Sequence, residues 1–160
     1  MIVVSDTSSI LNLARIGRLE LLPELYQQVL IPSAVSAELA TFDVTPVFDC
    51  AYSSWLHVAD PGDQDLVRRL RDELDFGEAE AIALAVERQA ALLLMDEKHG
   101  REVAERLGIS VTGLIGVLAD AKEARLIESV RPVLDELITK ARFWIGPNLY
   151  REVLAKLGEM

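Results

Sequence analysis

The sequence predicts an α/β fold: a three-layer α/β/α domain around a central parallel sheet of four or five strands. Two observations carry that prediction. Short continuous apolar runs, Met1–Ser5, Gln28–Ile31, Leu92–Met95 and Ile109–Thr112, read as strands buried on both faces. Between them lie segments whose apolar residues recur at helical spacing, so strands alternate with helices. A third observation is negative. No internal repeat and no Pro-, Gly- or Ser-rich linker interrupts the 160 residues, so one domain over 1–160 is expected.

Each element has a local reason. After the first strand, Asp6-Thr7-Ser8-Ser9 supplies residue types that cap helix N-termini. Ile10, Leu11, Leu13, Ala14 and Ile16 then form an apolar face, and Gly17 stops the helix. A short helix is expected over Leu19–Tyr26. Pro32 ends the second strand, and Ser33 is expected to cap a helix carrying Val35, Ala37, Glu38 and Leu39. The stretch Thr41–Pro61 is the least regular; it contains Pro46, Cys50, Trp55 and room for a short strand at Leu56–Ala59. Asp63–Glu73 reads as a polar helix. Asp75-Phe76-Gly77-Glu78 opens an Ala-rich helix in which Ala79, Ile82, Ala83 and Val86 share a face. Val103, Ala104 and Leu107 define the next helix, capped by Gly108, and Gly113 begins another. Val130, Val133, Leu134, Leu137, Ile138 and Ala141 mark an amphipathic helix, and Phe143-Trp144-Ile145 an extended piece. Pro147 stands at the first position of a last helix, about 147–157, with Leu149, Tyr150, Val153, Leu154 and Leu157 as its apolar face.

Composition excludes several function classes. The apolar fraction of 51 % is too high for a disordered chain, and no apolar run reaches the ~18 residues of a spanning helix. No secretory signal is expected, and one cysteine, Cys50, can make neither a disulfide framework nor a cysteine zinc cluster. A reducing, cytoplasmic setting is expected. The formal charge of −10 argues against a generic binder of nucleic acid or anionic membranes. The excess is uneven: residues 1–80 carry 14 acids against five Lys and Arg, whereas 81–160 carry 12 against 11.

In an open parallel sheet, ligands bind beyond the carboxyl ends of the strands. Asp6 follows the first strand, and Asp96 and Glu97 follow LLLM. Glu38 lies in the second turn after the second strand, and Glu78 in the first turn of the Ala-rich helix. Fold logic sends these carboxylates towards one end of the sheet. Gathered there, they could not all stay ionised without a cation. An oxygen-only set favours Mg²⁺ or Mn²⁺ over zinc, and such ions activate water against phosphate esters. Each acid also has a plainer reading. Asp6 and Asp96 could cap the helices that follow them, Asp75 and Glu78 form a capping-box pattern, and Glu38 could sit on a solvated face. Spacing alone leaves the two readings nearly even.

The ordered set of segments tips the balance. VVSDTSSILNLARIGRLELL, VLIPSAVSAEL, DFGEAEAIALA and LLLMDEKHGREVAERLGISVTGLIGVL together resemble the PIN-domain family, and more narrowly the VapC-like toxin nucleases of prokaryotic toxin–antitoxin pairs. The resemblance runs through residues 2–39 and 73–157 and is loose or absent over 41–72. It implies an Mg²⁺- or Mn²⁺-dependent ribonuclease leaving a 3′-hydroxyl and a 5′-phosphate. By matching position, it implies Asp6, Glu38, Glu78 and Asp96 as the catalytic acids. Asp6 and Asp96 would hold the principal ion, Glu78 would share it, and Glu38 would orient or deprotonate the water. Glu97 is a candidate further metal-site acid, and Ser8, more than Ser9, the hydroxyl supporting Asp6. Many relatives have Asp where this chain has Glu78. Lys98, His99 and Arg101, and likewise Arg15 and Arg18, are candidates for substrate phosphate; solvated faces account for them equally well, and His99 is not assigned a role in acid catalysis.

The resemblance further implies an RNA substrate, a small cognate antitoxin covering the site, and a homodimer. The last helix could serve as a contact surface or pack on its own sheet. Trp55 and Trp144 are read as core or interface rather than base-stacking platforms, and Cys50 as a small buried hydrophobe. Two other classes stay open. One is a phosphatase or phosphotransfer domain using Asp6, although Ser8 stands where a D-x-D pair would have its second acid. The other is a non-catalytic PIN-like binding module. With four acids reassigned to a metal site, the remaining charge is near −6, so a nuclease would need a local basic patch.

Overall fold

The computed structural model describes residues 1–42 and 55–160. The readings of Pro46 and Cys50 lie outside the described residues. Five parallel strands form one sheet: β1 (Val3–Ser5), β2 (Val29–Ile31), β3 (Leu56–Val58), β4 (Leu92–Leu94) and β5 (Val111–Thr112), in the order β3-β2-β1-β4-β5. The helices among the described residues are α1 (Thr7–Arg15), α2 (Leu21–Tyr26), α3 (Ser33–Ala40), α4 (Gln64–Leu70), α5 (Phe76–Glu87), α6 (Lys98–Arg106), α7 (Leu114–Glu123), α8 (Arg131–Lys140) and α9 (Pro147–Lys156). The expected α/β layering is present, with every strand shorter than its apolar run.

Alternation along the strands splits the core in two. Val3 and Leu94 face a cluster built with Ile10, Leu13, Leu22, Val117 and Leu134, from α1, α2, α7 and α8. Val4 and Leu93 face the other cluster, with Val67, Ile82, Ala83 and Val103 from α4, α5 and α6. Leu93 and Leu94 are fully buried on opposite faces, so truncating either to Ala would cost about 2–5 kcal/mol. This is why the β4 run carries no polar alternation.

The helix ends show which sequence signals act locally. Gly17 adopts φ +69° at the end of α1, a conformation open to glycine, and its N–H donates to Ala14 O. Asp75 and Glu78 form the capping box of α5. Ser33 does not cap α3. Pro32 occupies the cap position, and Asp60, after β3, accepts the backbone N–H and hydroxyl of Ser33 at 2.8 and 2.6 Å. The expected cap is thus replaced by a carboxylate 27 residues away. At the C-terminus, Leu154 is buried, Tyr150 and Leu157 pack on the core, and Glu159 accepts the Val130 and Arg131 N–H groups at 2.8 Å each. The last helix therefore packs on its own fold. Trp55 is half-buried against the core, but Trp144 is 83 % exposed, so the core reading fails for it.

The strand order fixes where a site belongs. The chain runs from β1 outwards through β2 to β3, then returns to the other side of β1 as β4. The switch point lies between β1 and β4, the position where ligands bind in such sheets. Ser5 pairs with Leu94 in register, so Asp6 and, one residue further along its own strand, Asp96 leave the sheet at that point.

Candidate metal centre and the adjoining groove

Asp6 ends β1 and caps α1. Its Oδ1 accepts the Ser9 N–H at 3.1 Å, its Oδ2 accepts the Ser8 hydroxyl at 3.1 Å, and its own N–H donates to Leu94 O at 3.0 Å. Only 4 % of the residue is exposed. Burial pushes its carboxyl up to about 7; the hydrogen bonds from Ser9 and Ser8 oppose the shift, and the Asp96 charge adds to it.

Asp96 does not cap the helix that follows it. Glu97 occupies the cap position of α6 without a side-chain cap bond, while Asp96 Oδ1 accepts the Leu114 N–H at 2.8 Å and so caps α7. Gly113 makes this possible, because a Cβ there would lie 2.6 Å from Asp96 Oδ1. Asp96 Oδ2 is buried with no hydrogen-bond partner among the described residues. Burial raises its carboxyl, against the pull of the Leu114 N–H and Arg101.

Glu38 Oε2 accepts the Thr7 hydroxyl at 2.5 Å, a contact 31 residues apart in sequence. Gly77 lets α5 approach, since a Cβ there would lie 2.5 Å from Glu38 Oε1. Glu78 is tied to Asp75 through the capping box and is raised to about 7, chiefly by burial, with Asp75 and Glu97 adding repulsion. Asp6, Ser8, Glu38, Glu78 and Glu97 all line one cavity of about 280 Å³, joined by Thr7 and Asp75. The sequence marks Thr7 only as a capping residue type; its bond to Glu38 has no local signature. Asp96 lines a second, larger cavity of about 620 Å³ with Lys98, Arg101 and Trp144.

The weaker candidates separate. Arg15 sits over the ring of Phe42, 5.4 Å from its centroid, and Phe42 borders the acid cavity. Arg18 pairs with Glu136 at 3.7 Å. His99 turns to Glu73 at 3.5 Å, a residue that also holds Arg106 at 3.2 Å. Lys98 and Arg101 form no ion pair with any described carboxylate.

Among the described residues, no three Asp, Glu, His or Cys side chains stand close enough to grip one ion. The donor chemistry nevertheless fits a hard divalent cation. The set is all oxygen, Asp6 carries a raised pKa beside a second acid, and Asp96 presents a buried oxygen with no partner among the described residues.

The model of the DUF3368 family, described as a PIN domain, matches residues 2–159. The structure is similar to that of a PilT N-terminus domain protein from the hyperthermophilic archaeon Sulfolobus solfataricus P2. That pair has a TM-score of 0.54 and 22 % identity, and the likeness covers 76 % of this chain and 93 % of the other. At that identity the likeness speaks to the fold. No curated protein matches. The family match spans nearly the whole chain, and the acids stand at the switch point of a sheet with the expected topology: the chain belongs to the PIN-domain family.

Proposed function

We propose that this protein is an Mg²⁺- or Mn²⁺-dependent endoribonuclease, the toxin of a toxin–antitoxin pair, acting in the cytoplasm. PIN domains are generally metal-dependent nucleases. The observation that carries the reading here is the pair at the switch point: buried Asp6, raised to about 7, beside Asp96 with its unpartnered oxygen. A divalent ion offsets the repulsion that these two acids otherwise carry.

In this reading Asp6 and Asp96 would hold the ion, and Glu78 and Glu97 would share it. When bound, the ion lowers the pKa of water and polarises a phosphodiester. Ser8 and the Ser9 N–H fix the Asp6 carboxylate, and the Leu114 N–H fixes that of Asp96. Glu38, oriented by Thr7, takes the proton of the attacking water. A second copy of the chain and a small antitoxin with an Arg directed at the acids complete the proposal.

The test is cleavage of total cellular RNA by the purified protein with Mg²⁺ or Mn²⁺, beside Asp6→Asn and Asp96→Asn. We expect defined fragments ending in 5′-phosphate from the wild type and none from either variant. Undiminished cleavage by folded Asp6→Asn would overturn the site. A phosphotransfer domain would instead trap a phosphate analogue on Asp6.

A further inference from the structure

We infer that the larger cavity is the track for single-stranded RNA, with Trp144 stacking on a base beside the phosphate that Lys98 and Arg101 hold. The inference rests on the nuclease reading above and names the surface that presents the strand to it.

Three observations meet in this groove. First, Trp144 lines it yet is 83 % exposed, and Leu149 beside it is 47 % exposed. The edge of the indole rests over Gly146, where even a Cβ would lie 3.7 Å from the ring. An uncovered indole is a costly surface in water and a ready platform for a flat aromatic ligand. Secondly, Lys98 and Arg101 border the same groove and remain unpaired among the described residues, in a chain with a formal charge of −10. Lys98 makes no ion pair among the described residues, and Arg101 faces the Asp96 carboxylate from beyond ion-pair distance, so the two supply the local basic patch that an acidic nuclease requires. Thirdly, Asp96 lines the groove too, and Arg101 Nη1 lies 3.6 Å from the point above Gly113 that Asp96 Oδ1 also approaches, at 2.6 Å. A phosphate held by Arg101 is thereby brought to the acid at the switch point.

The occupant follows from this chemistry. Phosphates meet Lys98 and Arg101, and a base meets Trp144. Duplex bases are stacked on each other and offer no free face, so the strand is single. A protein segment laid on Trp144 and Leu149 would bury two cations and a carboxylate without designated partners, at a cost in desolvation. The volume, about 620 Å³, lies in the range of sites that enclose small ligands, roughly 300–1,000 Å³.

The test uses the intact protein with Trp55→Phe, so that Trp144 is the only tryptophan. The probe is a short single-stranded RNA of random sequence, titrated with a chelator present, and the same RNA as a duplex. We expect saturable quenching of Trp144 by the single strand and little by the duplex. Trp144→Ala in the wild-type background should weaken binding by about tenfold or more, and Trp144→Phe should restore most of it, because stacking needs a ring. Unquenched emission while the strand binds, or wild-type affinity in Trp144→Ala, would overturn the track. So would an emission that changes with protein concentration and not with RNA, which would assign the face to a second copy. If the track fails while Asp6→Asn still abolishes cleavage, the nuclease reading stands without it. If the protein neither cleaves nor binds any strand, both fail.

Discussion

The two cavities at the carboxyl end of the sheet differ in sign. The smaller one is walled by Asp6, Glu38, Asp75, Glu78 and Glu97, and the larger by Asp96, Lys98, Arg101 and Trp144. In the proposed reading the first takes a cation and the second an anionic strand. They lie on the two sides of the switch point, and the Asp6–Asp96 repulsion joins them. The contrast shows why net charge is a poor guide to substrate. A total of −10 conceals a carboxylate pocket next to a local cationic patch. In that reading acidity at the first would concentrate metal, and Lys98 and Arg101 would steer the strand at the second.

Removing the charge that joins the cavities should have the largest effect. Asp96→Asn keeps an acceptor for the Leu114 N–H, so α7 stays capped and the fold is preserved. Cleavage should nevertheless fall to background, measured with Mn²⁺ on labelled RNA. Glu97→Gln, at the exposed rim of the acid cavity, should lose only a few-fold. Equal losses from both would erase the distinction between centre and rim.

The comparison also divides what the sequence discloses from what it hides. The layers were legible because burial on both faces forces apolar runs at β1 and β4, and because capping signals such as Asp75-x-x-Glu78 act over one turn. Asp6 was legible as the polar residue ending a buried strand. Choosing Glu38 and Glu78 among 26 acids needed the family resemblance, since their convergence is tertiary. Asp96 capping α7, Asp60 capping α3 and Thr7 holding Glu38 span 18, 27 and 31 residues, and no local period announces such contacts. The exposure of Trp144 was hidden for the opposite reason: aromatic residues are usually buried, and nothing within Phe143-Trp144-Ile145 says which ring faces out.

An intermediate effect should separate the groove from the acids. Arg101→Gln removes a phosphate contact but leaves the carboxylates of the acid cavity in place. It should raise KM more than it lowers kcat. It should also reduce the slope of log affinity against log salt by about 0.7, the value for one phosphate on a single strand. A change in kcat alone would move Arg101 from the track into the chemistry. Arg18→Gln, already paired with Glu136, should leave the salt slope unchanged.

The smallest effect is on stability, and its sign is opposite to that on activity. The Asp6 carboxyl titrates near 7 in the folded chain against 3.8 when unfolded. Between those values the folded protein keeps a proton that the unfolded chain has lost. Wild-type stability therefore falls as pH rises through this window, and the loss is complete above about 7. Asn never ionises, yet it still caps α1 by accepting the Ser9 N–H, whereas Ala would forfeit about 1 kcal/mol. In metal-free protein, Asp6→Asn should match wild type near pH 4, then gain on it with rising pH until Tm exceeds it by several degrees at pH 8. Saturating Mg²⁺ should raise Tm in the wild type and not in the variant, narrowing the gap, because the ion binds only where the carboxylate is present. A gap that is constant with pH would show that Asp6 is ionised and satisfied by Ser8 and Ser9 alone. The acid cavity would then have no need of a cation, and the difference in sign between the two cavities would lose its functional meaning.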